Sequence, residues 1–512
     1  MASPSENLAK SLDSLRKLQG NQGTTAIRSR DLSRTDRERL MKNGFLQEVM
    51  KGWYVPARPD ETKGESTAWY ASFWKFCASY LNERFGSDWS LSPEQSLELL
   101  AGNWTVPAQL LVRAKNAGNK VTNLPHGTSL LDIRAILPSS EDLLEVDGLR
   151  LFSLEYAFVS AGPTFFKQSP TSARAALAML RDASPLLSKL LEGGHSTVAG
   201  RLAGACRNIG REKTADEIVE TMETAGYSVR ESDPFDDGIA VRITQAGTSP
   251  YVSRIKLLWQ AMRDQVTEAF PPAPGLPKGK KRYVQAVDEV YTTDAYNSLS
   301  IEGYRVTPAL IDSVRSGNWN PDDIETDRTH RDAMAARGYW QSFQAVRSSV
   351  ETVLEGGNPG KVADSDHGSW YRELFAPSVT AGILAPVDLA GYRRGQVYIR
   401  GSMHVPVKRE AVAECMEALF ELLSLEESAA ARVVLGHFFF VFIHPYMDGN
   451  GRIGRFLMNL MLASGGYPWT VIPVEARTDY MQALEEASVR QNIKPFAKFL
   501  ANLVREQMGS DK

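Results

Sequence analysis

The stretch HPYMDGNGRIGR, residues 444–455, sets a histidine, an aspartate, three glycines and two arginines in one short run. The residues before it, Ala429 to Ile443, are apolar almost all round, which predicts a buried helix. Its most apolar part, Val433 to Ile443, is too short to span a bilayer and is flanked by Arg432 and His444. The helix is expected to stop at His444-Pro445, because proline disfavours helix in the residue before it. A second helix is expected from near Gly451. Ile453, Phe456, Leu457, Leu460 and Met461 repeat with the spacing of one buried face, and Gly465-Gly466 ends the pattern. The run is therefore a glycine-rich loop held between two core helices.

Such a loop suits a phosphate. Glycine lets backbone approach an anion closely, and the free N–H groups at a helix start favour negative charge. Arg452 and Arg455 stand three residues apart, so two forked donors reach one phosphate cluster. Asp448 supplies a hard oxygen ligand where Mg²⁺ would bridge phosphates. His444 can take a proton from an attacking hydroxyl. Together these residue types describe transfer from a nucleotide phosphate to an alcohol.

The run resembles the Fic family motif, H-x-F-x-D/E-G-N-G-R-x-x-R, at every position but one. Tyr446 stands where phenylalanine is usual and keeps the anchoring ring. The resemblance implies His444 as the base and Asp448 as the Mg²⁺ ligand. It implies Gly449, Asn450 and Gly451 as the anion cradle, with Arg452 and Arg455 neutralising the phosphates of ATP. The GNGR form is typical of AMP transfer, and the chain lacks the altered loop of the related Doc kinases. GQVYIRGSMHVP, residues 395–406, reads as two strand runs around Gly401-Ser402. It is similar to the family's flap, a β-hairpin that docks the target segment, and the preceding AGYRR (390–394) is familiar too. TDYMQALEEAS, residues 478–488, reads as a helix with Thr478 as N-cap. It resembles the segment lining the family's adenine site, with Tyr480 against the base.

Upstream, SLSIEG, residues 298–303, fits the family's inhibitory pattern S/T-x-x-x-E-G/N through Ser298, Glu302 and Gly303. It lies in an expected helix over about 286–303, as in the class whose brake precedes the catalytic core. The resemblance implies that Glu302 pairs with Arg455 and takes the place of the ATP γ-phosphate.

The chain has 512 residues, which predicts two or three domains. A net charge of -3 argues against a polyanion binder as a whole, so any nucleic-acid surface must be a local patch. Cys77, Cys206 and Cys415 are far apart, which excludes metal-ligand spacing and fits a reducing cytoplasm. The start, MASPSENLAKSLDSL, lacks a secretory apolar core.

From Thr24 to Arg58 a helical stretch is followed by Asn43-Gly44. Two apolar runs, Phe45 to Met50 and Trp53 to Val55, are then joined through Lys51-Gly52 in a hairpin pattern. Eight cations face four carboxylates there. The segment loosely resembles AbiE-type antitoxins, which implies a winged helix over 1–60 and an α/β domain over 61–235. DNA is then a candidate partner, through Arg34, Arg37, Arg39 and Lys42. Within the α/β part, Gly102 to Pro107 and Gln109 to Arg113 read as strands. Ser172 to Leu191 and Thr214 to Ala225 read as helices. Glu231 to Asp237 reads as a boundary, and FPPAPGLPKGKK (270–281) as a linker within a 236–281 connection.

The expected fold is multidomain: a winged helix plus α/β domain, then an all-α Fic region over 282–512 with its core at 370–505. The expected function is autoinhibited AMP transfer from ATP to a Ser, Thr or Tyr hydroxyl of a protein, this chain included. Two alternatives stand beside it: a DNA-binding regulator or antitoxin-like module whose Fic part is sensory, and removal of AMP by the same site. No membrane partner is expected, and a homodimer stays open.

Overall fold

The computed structural model describes residues 3–22, 25–59, 66–235, 247, 249–317 and 331–510. The chain divides into two compact units. One comprises Met1–Arg254 with Tyr398–Val405, the other Ile255–Val397 with Pro406–Lys512. The division falls inside the 236–281 connection. Of the boundary stretch read at Glu231 to Asp237, residues 236–237 lie outside the described residues.

The N-terminal unit begins with helix α1 (Pro4–Gln22), β1 (Ile27–Arg28), α2 (Arg34–Lys42), β2 (Leu46–Met50) and β3 (Trp53–Pro56). The strands are antiparallel in the order β1-β3-β2. Ser33 caps α2 by accepting from the Asp36 N–H at 3.1 Å. Gly44 and Gly52 take the positive φ that the two turns need, +77° and +87°. Leu15 of α1 is buried with Ile27, Leu32, Leu40, Leu46 and Tyr54. What forms is a two-helix, three-stranded module. Three of the four cations expected to face DNA are engaged within it. Arg37 donates to the Ser29 and Leu32 carbonyls, Arg39 to Asn7 O and Ser11 Oγ, and Arg34 to Glu38.

Helix α3 (Thr67–Phe85) follows, with Trp69, Phe73 and Phe76 at the centre of the larger core. Around it lie β4 (Trp89–Leu91), α4 (Pro93–Leu100), β5 (Gln109–Ala114), β6 (Val121–Asn123) and β7 (Ser129–Arg134). The sheet order is β4-β5-β7-β6, with only the β5/β7 pair parallel. A hairpin of β8 (Leu143–Val146) and β9 (Leu149–Phe152) leads to α5 (Leu154–Ser160) and α6 (Pro163–Gln168). Helices α7 (Pro170–Met179), α8 (Ser184–Glu192), α9 (Ser196–Asn208) and α10 (Glu212–Thr224) complete the series. The single helix expected over 172–191 is thus two, broken before Pro185, which cannot donate an interior helical bond.

Two strand expectations are corrected here. Residues 102–107 form no strand, and neither does the expected flap hairpin at 395–406. The flap's Met403 carbonyl accepts from the Val106 N–H at 2.9 Å, and its Gly401 N–H donates to Thr67 Oγ1 at 2.9 Å. Met403 and Val405 also pack on the large aromatic core. Their backbone and side chains serve this unit's packing, so no ladder joins 397–400 to 402–405.

The C-terminal unit is helical. Helix α11 (Pro250–Ala269) crosses into it and is followed by α12 (Lys280–Ile301), α13 (Pro308–Arg315), α14 (Arg331–Leu354) and α15 (Pro359–Thr380). Then come α16 (Val412–Leu425), α17 (Ala429–Ile443), α18 (Asn450–Gly465), α19 (Arg477–Arg490) and α20 (Lys494–Ser510). Helix α17 is buried almost throughout, as an all-round apolar helix must be. Among the described residues, no helix is long and apolar enough to cross a membrane. All three cysteines are buried and unpaired.

The stretch read as a linker is partly fastened down. The Gly275 N–H donates to Gly465 O at 2.9 Å, and Tyr467 Oη donates to Pro271 O at 2.6 Å. A Cβ on Gly466 would strike the Gly275 carbonyl oxygen at 1.8 Å. Proline and glycine end helices here, but they also let this segment lie flat against the end of α18.

Candidate active site

The loop between α17 and α18 forms where it was expected, and its backbone is unusual at one point. His444 has φ +56° and ψ +61°, a left-handed conformation that costs a non-glycine residue energy. Several bonds hold it there. Arg393 is buried and donates from Nε to His444 O at 2.9 Å, from Nη1 to Gly395 O at 3.0 Å, and from Nη2 to Val407 O. Its own N–H donates to Pro445 O at 2.8 Å. Across the loop, the Asn450 amide accepts from Tyr446 N and donates to Tyr446 O, both at 2.9 Å. Tyr446 is only 1% exposed, and its ring stacks on Tyr371 with centroids 3.9 Å apart. The tyrosine therefore does anchor the loop. The Asn450 amide braces the loop through these two bonds, which use one of its two Nδ2 hydrogens.

His444 is held in one tautomer. Its Nδ1 lies 3.2 Å from Val441 O, so that nitrogen is assigned the proton and Nε2 keeps its lone pair. Burial pushes the imidazole pKa down to about 4, so the ring is neutral near pH 7.

At the start of α18, Gly449 takes φ +82°, and a Cβ there would meet the Phe375 ring at 2.7 Å. Asp448 is 59% exposed; its Oδ1 accepts from Gly449 N at 2.6 Å and lies 3.3 Å from Arg452 Nη2. Arg452 is 1% exposed, and its Nε and Nη2 have no hydrogen-bond partner among the described residues. A buried cation with unmatched donors beside a helix N-terminus is what an anion site looks like before the anion arrives.

Arg455 is held more fully, although its Nη1 has no hydrogen-bond partner among the described residues. It donates from Nε to Ser298 Oγ at 2.8 Å, and from Nη2 to Ser298 O at 3.0 Å and Glu302 Oε1 at 2.7 Å. Burial works against its charge, but Glu302 outweighs this and holds its pKa above the ordinary arginine value. Glu302 ends α12, and Gly303 follows with φ +88°. The same end of α12 is tied elsewhere. Arg477 Nε donates to Ile301 O at 2.8 Å, and Val474 N donates to Asn297 Oδ1 at 2.8 Å. Residues 298, 302, 444, 448, 452 and 455, drawn from two distant stretches, thus meet in one unit.

The Glu302 carboxylate also lies over Gly451, where a Cβ would stand 2.2 Å from Oε1. Gly451→Ala is expected to lower stability by about 1–3 kcal/mol, the usual cost of overpacking. Most of that loss should vanish in the Glu302→Gly background. Equal losses in both backgrounds, measured by thermal unfolding, would show that the carboxylate does not fill this space.

Residues 369–462 match the model of the Fic/DOC family. This chain carries a Fic domain. Protein adenylyltransferase Fic of Drosophila willistoni is 29% identical over 228 residues, 44% of this chain and 42% of that protein. Its Drosophila virilis counterpart is 30% identical over 228 residues, 44% and 43% of the two chains. The chain spans less than half the length of these curated relatives. The solved structure of Fic-1 residues 134–508 from C. elegans covers 67% of this chain at 18% identity, with a TM-score of 0.37.

Two positions outside the Fic/DOC match depart from expectation. Tyr480 is 1% exposed, and its Oη lies 2.7 Å from His437 Nε2. Its ring packs against His437, Phe496 and Phe499, and its hydroxyl also interacts with Arg455 of the loop. Thr478 is inside α19, not its N-cap; the cap is Ala476, reached through a tight turn over Val474–Ala476. Sequence reading passed over Arg393, Arg477 and His437. AGYRR shares in the family resemblance, yet nothing in its spacing says that the Arg393 side chain donates to three carbonyls.

Proposed function

We propose that this chain is a protein adenylyltransferase whose Glu302 holds it in check. The observation carrying this reading is that both buried arginines of one Fic loop keep unmatched donors among the described residues, while Arg455 alone is also held by the Glu302 carboxylate. ATP would lay its phosphates at the start of α18, against the N–H groups there, Arg452 and, once Glu302 leaves, Arg455. His444 Nε2 would take the proton from a protein Ser, Thr or Tyr hydroxyl. That oxygen would attack the α-phosphorus, forming the new P–O bond as the bond to pyrophosphate breaks. Asp448, an exposed carboxylate beside the phosphate site, fits Mg²⁺, which when bound would neutralise phosphate charge. The test is incubation of the full chain with labelled ATP and Mg²⁺, alone and with lysate. Mass spectrometry then reads AMP on protein hydroxyls. No AMP on any protein, from either the parent or the Glu302→Gly form, would overturn the reading.

The depressed His444 pKa sets the pH profile. A base must be unprotonated to act, so lowering its pKa extends activity toward acid. In the Glu302→Gly protein, kcat/KM for AMP incorporation is expected to stay flat from about pH 6 to about pH 8. It should fall only as pH drops toward the histidine value of about 4. An inflection near 6.5, the ordinary histidine value, would show that the base is not desolvated.

A further inference from the structure

Two aromatic rings lie within cation–π distance of the Arg452 guanidinium. Its carbon is 5.1 Å from the centroid of Tyr304 and 5.0 Å from that of Phe375. Tyr304 follows Glu302 by two residues, beyond Gly303, and its N–H donates to Leu299 O at 3.1 Å. The Arg331 guanidinium is also 5.1 Å from the Tyr304 ring centroid. We propose that Tyr304 is a positioning residue that holds the Arg452 guanidinium edge-on to the nucleotide phosphates. The segment carrying the brake therefore also builds part of the site that the brake obstructs.

A guanidinium can be held by its edge or by its faces. All five of its donors lie in its plane, so a ring stacked on a face takes none of them. Arg452 Nε and Nη2 have no hydrogen-bond partner among the described residues. Asp448, at 3.3 Å from Nη2, is the ion pair on the edge. With so few bonds in the plane, the two faces fix its tilt. Phe375 is set by α15, where it also closes over Gly449. Tyr304 comes from the turn after α12, so the tilt of Arg452 depends on that turn staying in place. Glu302 and Tyr304 then have opposite effects across one glycine: the first occupies Arg455, the second aims Arg452. Removing the whole turn would not mimic Glu302→Gly, because it would discard the aim along with the brake.

This inference relies on the phosphate role proposed for Arg452, and the experiment separates the two. ATP binding is measured by calorimetry on the full-length Glu302→Gly chain, then with Tyr304→Ala, Tyr304→Leu, Tyr304→Phe or Arg452→Ala added. Loss of the cation–π face is expected to raise Kd about 3- to 30-fold in both the Ala and Leu forms. The Phe form keeps the ring and should bind like its parent. Leu fills the space without a π face, so its failure to bind is not a packing defect. Unchanged or tighter binding by Tyr304→Ala overturns the proposal. So does a Leu form that binds like Phe, or a Phe form as weak as Ala. If Arg452→Ala itself binds ATP normally, the phosphate site is wrong, and the role of Tyr304 falls with it.

Discussion

Glu302→Gly is expected to raise the initial rate of AMP incorporation about 10- to 100-fold, the worth of one charge-assisted hydrogen bond returned to the substrate. Arg455 Nη2 is 2.7 Å from Glu302 Oε1, and the carboxylate also fills the space above Gly451. A phosphate and this carboxylate cannot share that guanidinium in one geometry. Removing the carboxylate frees the cation and opens the cradle together. Arg455→Ala should slow the released form, because a phosphate clamp is lost. The double variant should behave like Arg455→Ala, since nothing is left for the brake to grip. A Glu302 that merely supports the helix end predicts a different pattern: Glu302→Gly would be unstable and no faster. The measurement is the initial rate for the four proteins at equal folded concentration. A Glu302→Gly protein no faster than its parent removes the autoinhibition claim and leaves the His444 chemistry to stand alone.

His444→Ala is expected to cut that rate by ~10²–10⁴, the usual contribution of a general base. The side chain does little else. Its Nδ1 meets one carbonyl, and the loop is held by backbone bonds from Arg393 and by the Asn450 amide, which the substitution leaves in place. The protein should remain folded and should still bind ATP once Glu302 is removed. A folded His444→Ala protein that labels at the parent rate would sink the proposed proton transfer.

The parts legible in the sequence were those that local rules decide. Apolar periodicity located α17 and α18, and proline and glycine marked their ends. The spacing of His444, Asp448, Arg452 and Arg455 then implied a phosphate site. The Ser298–Glu302 pattern pointed to Arg455 from far along the chain, and the two stretches do meet. What escaped was set by tertiary geometry. Asn450 was expected in the anion cradle, and only the closed loop shows that its amide also braces Tyr446. The alternation at 395–406 looked like a hairpin, but its backbone bonds run to Val106 and Thr67 instead. Tyr480 had the composition of a ligand residue, and burial makes it a core one. Tyr304 carried no signal, because a single tyrosine after a glutamate-glycine turn has no pattern to betray a stacked arginine.

The fastening of residues 270–279 bears on how the brake can open. Helix α12 starts just beyond them, and there Tyr283 Oη donates to Tyr467 O at 2.6 Å, at the far end of α18. Its other end meets Arg455, near the start of α18. The two helices thus run antiparallel, and α12 is pinned at Tyr283 and again at Ser298, roughly 22 Å apart at a helical rise of about 1.5 Å per residue. A strut fixed at both ends has no pivot about which to swing. The last turn is tied as well, because Arg477 Nε donates to Ile301 O and the Tyr304 N–H donates to Leu299 O, so the part left to move is the partly exposed Glu302 side chain. Release of the proposed brake is therefore a matter of rotating one carboxylate side chain away from Arg455, with Tyr304 left in place. Whatever holds or frees that side chain would tune the proposed brake like a set-screw, with the helix itself left still.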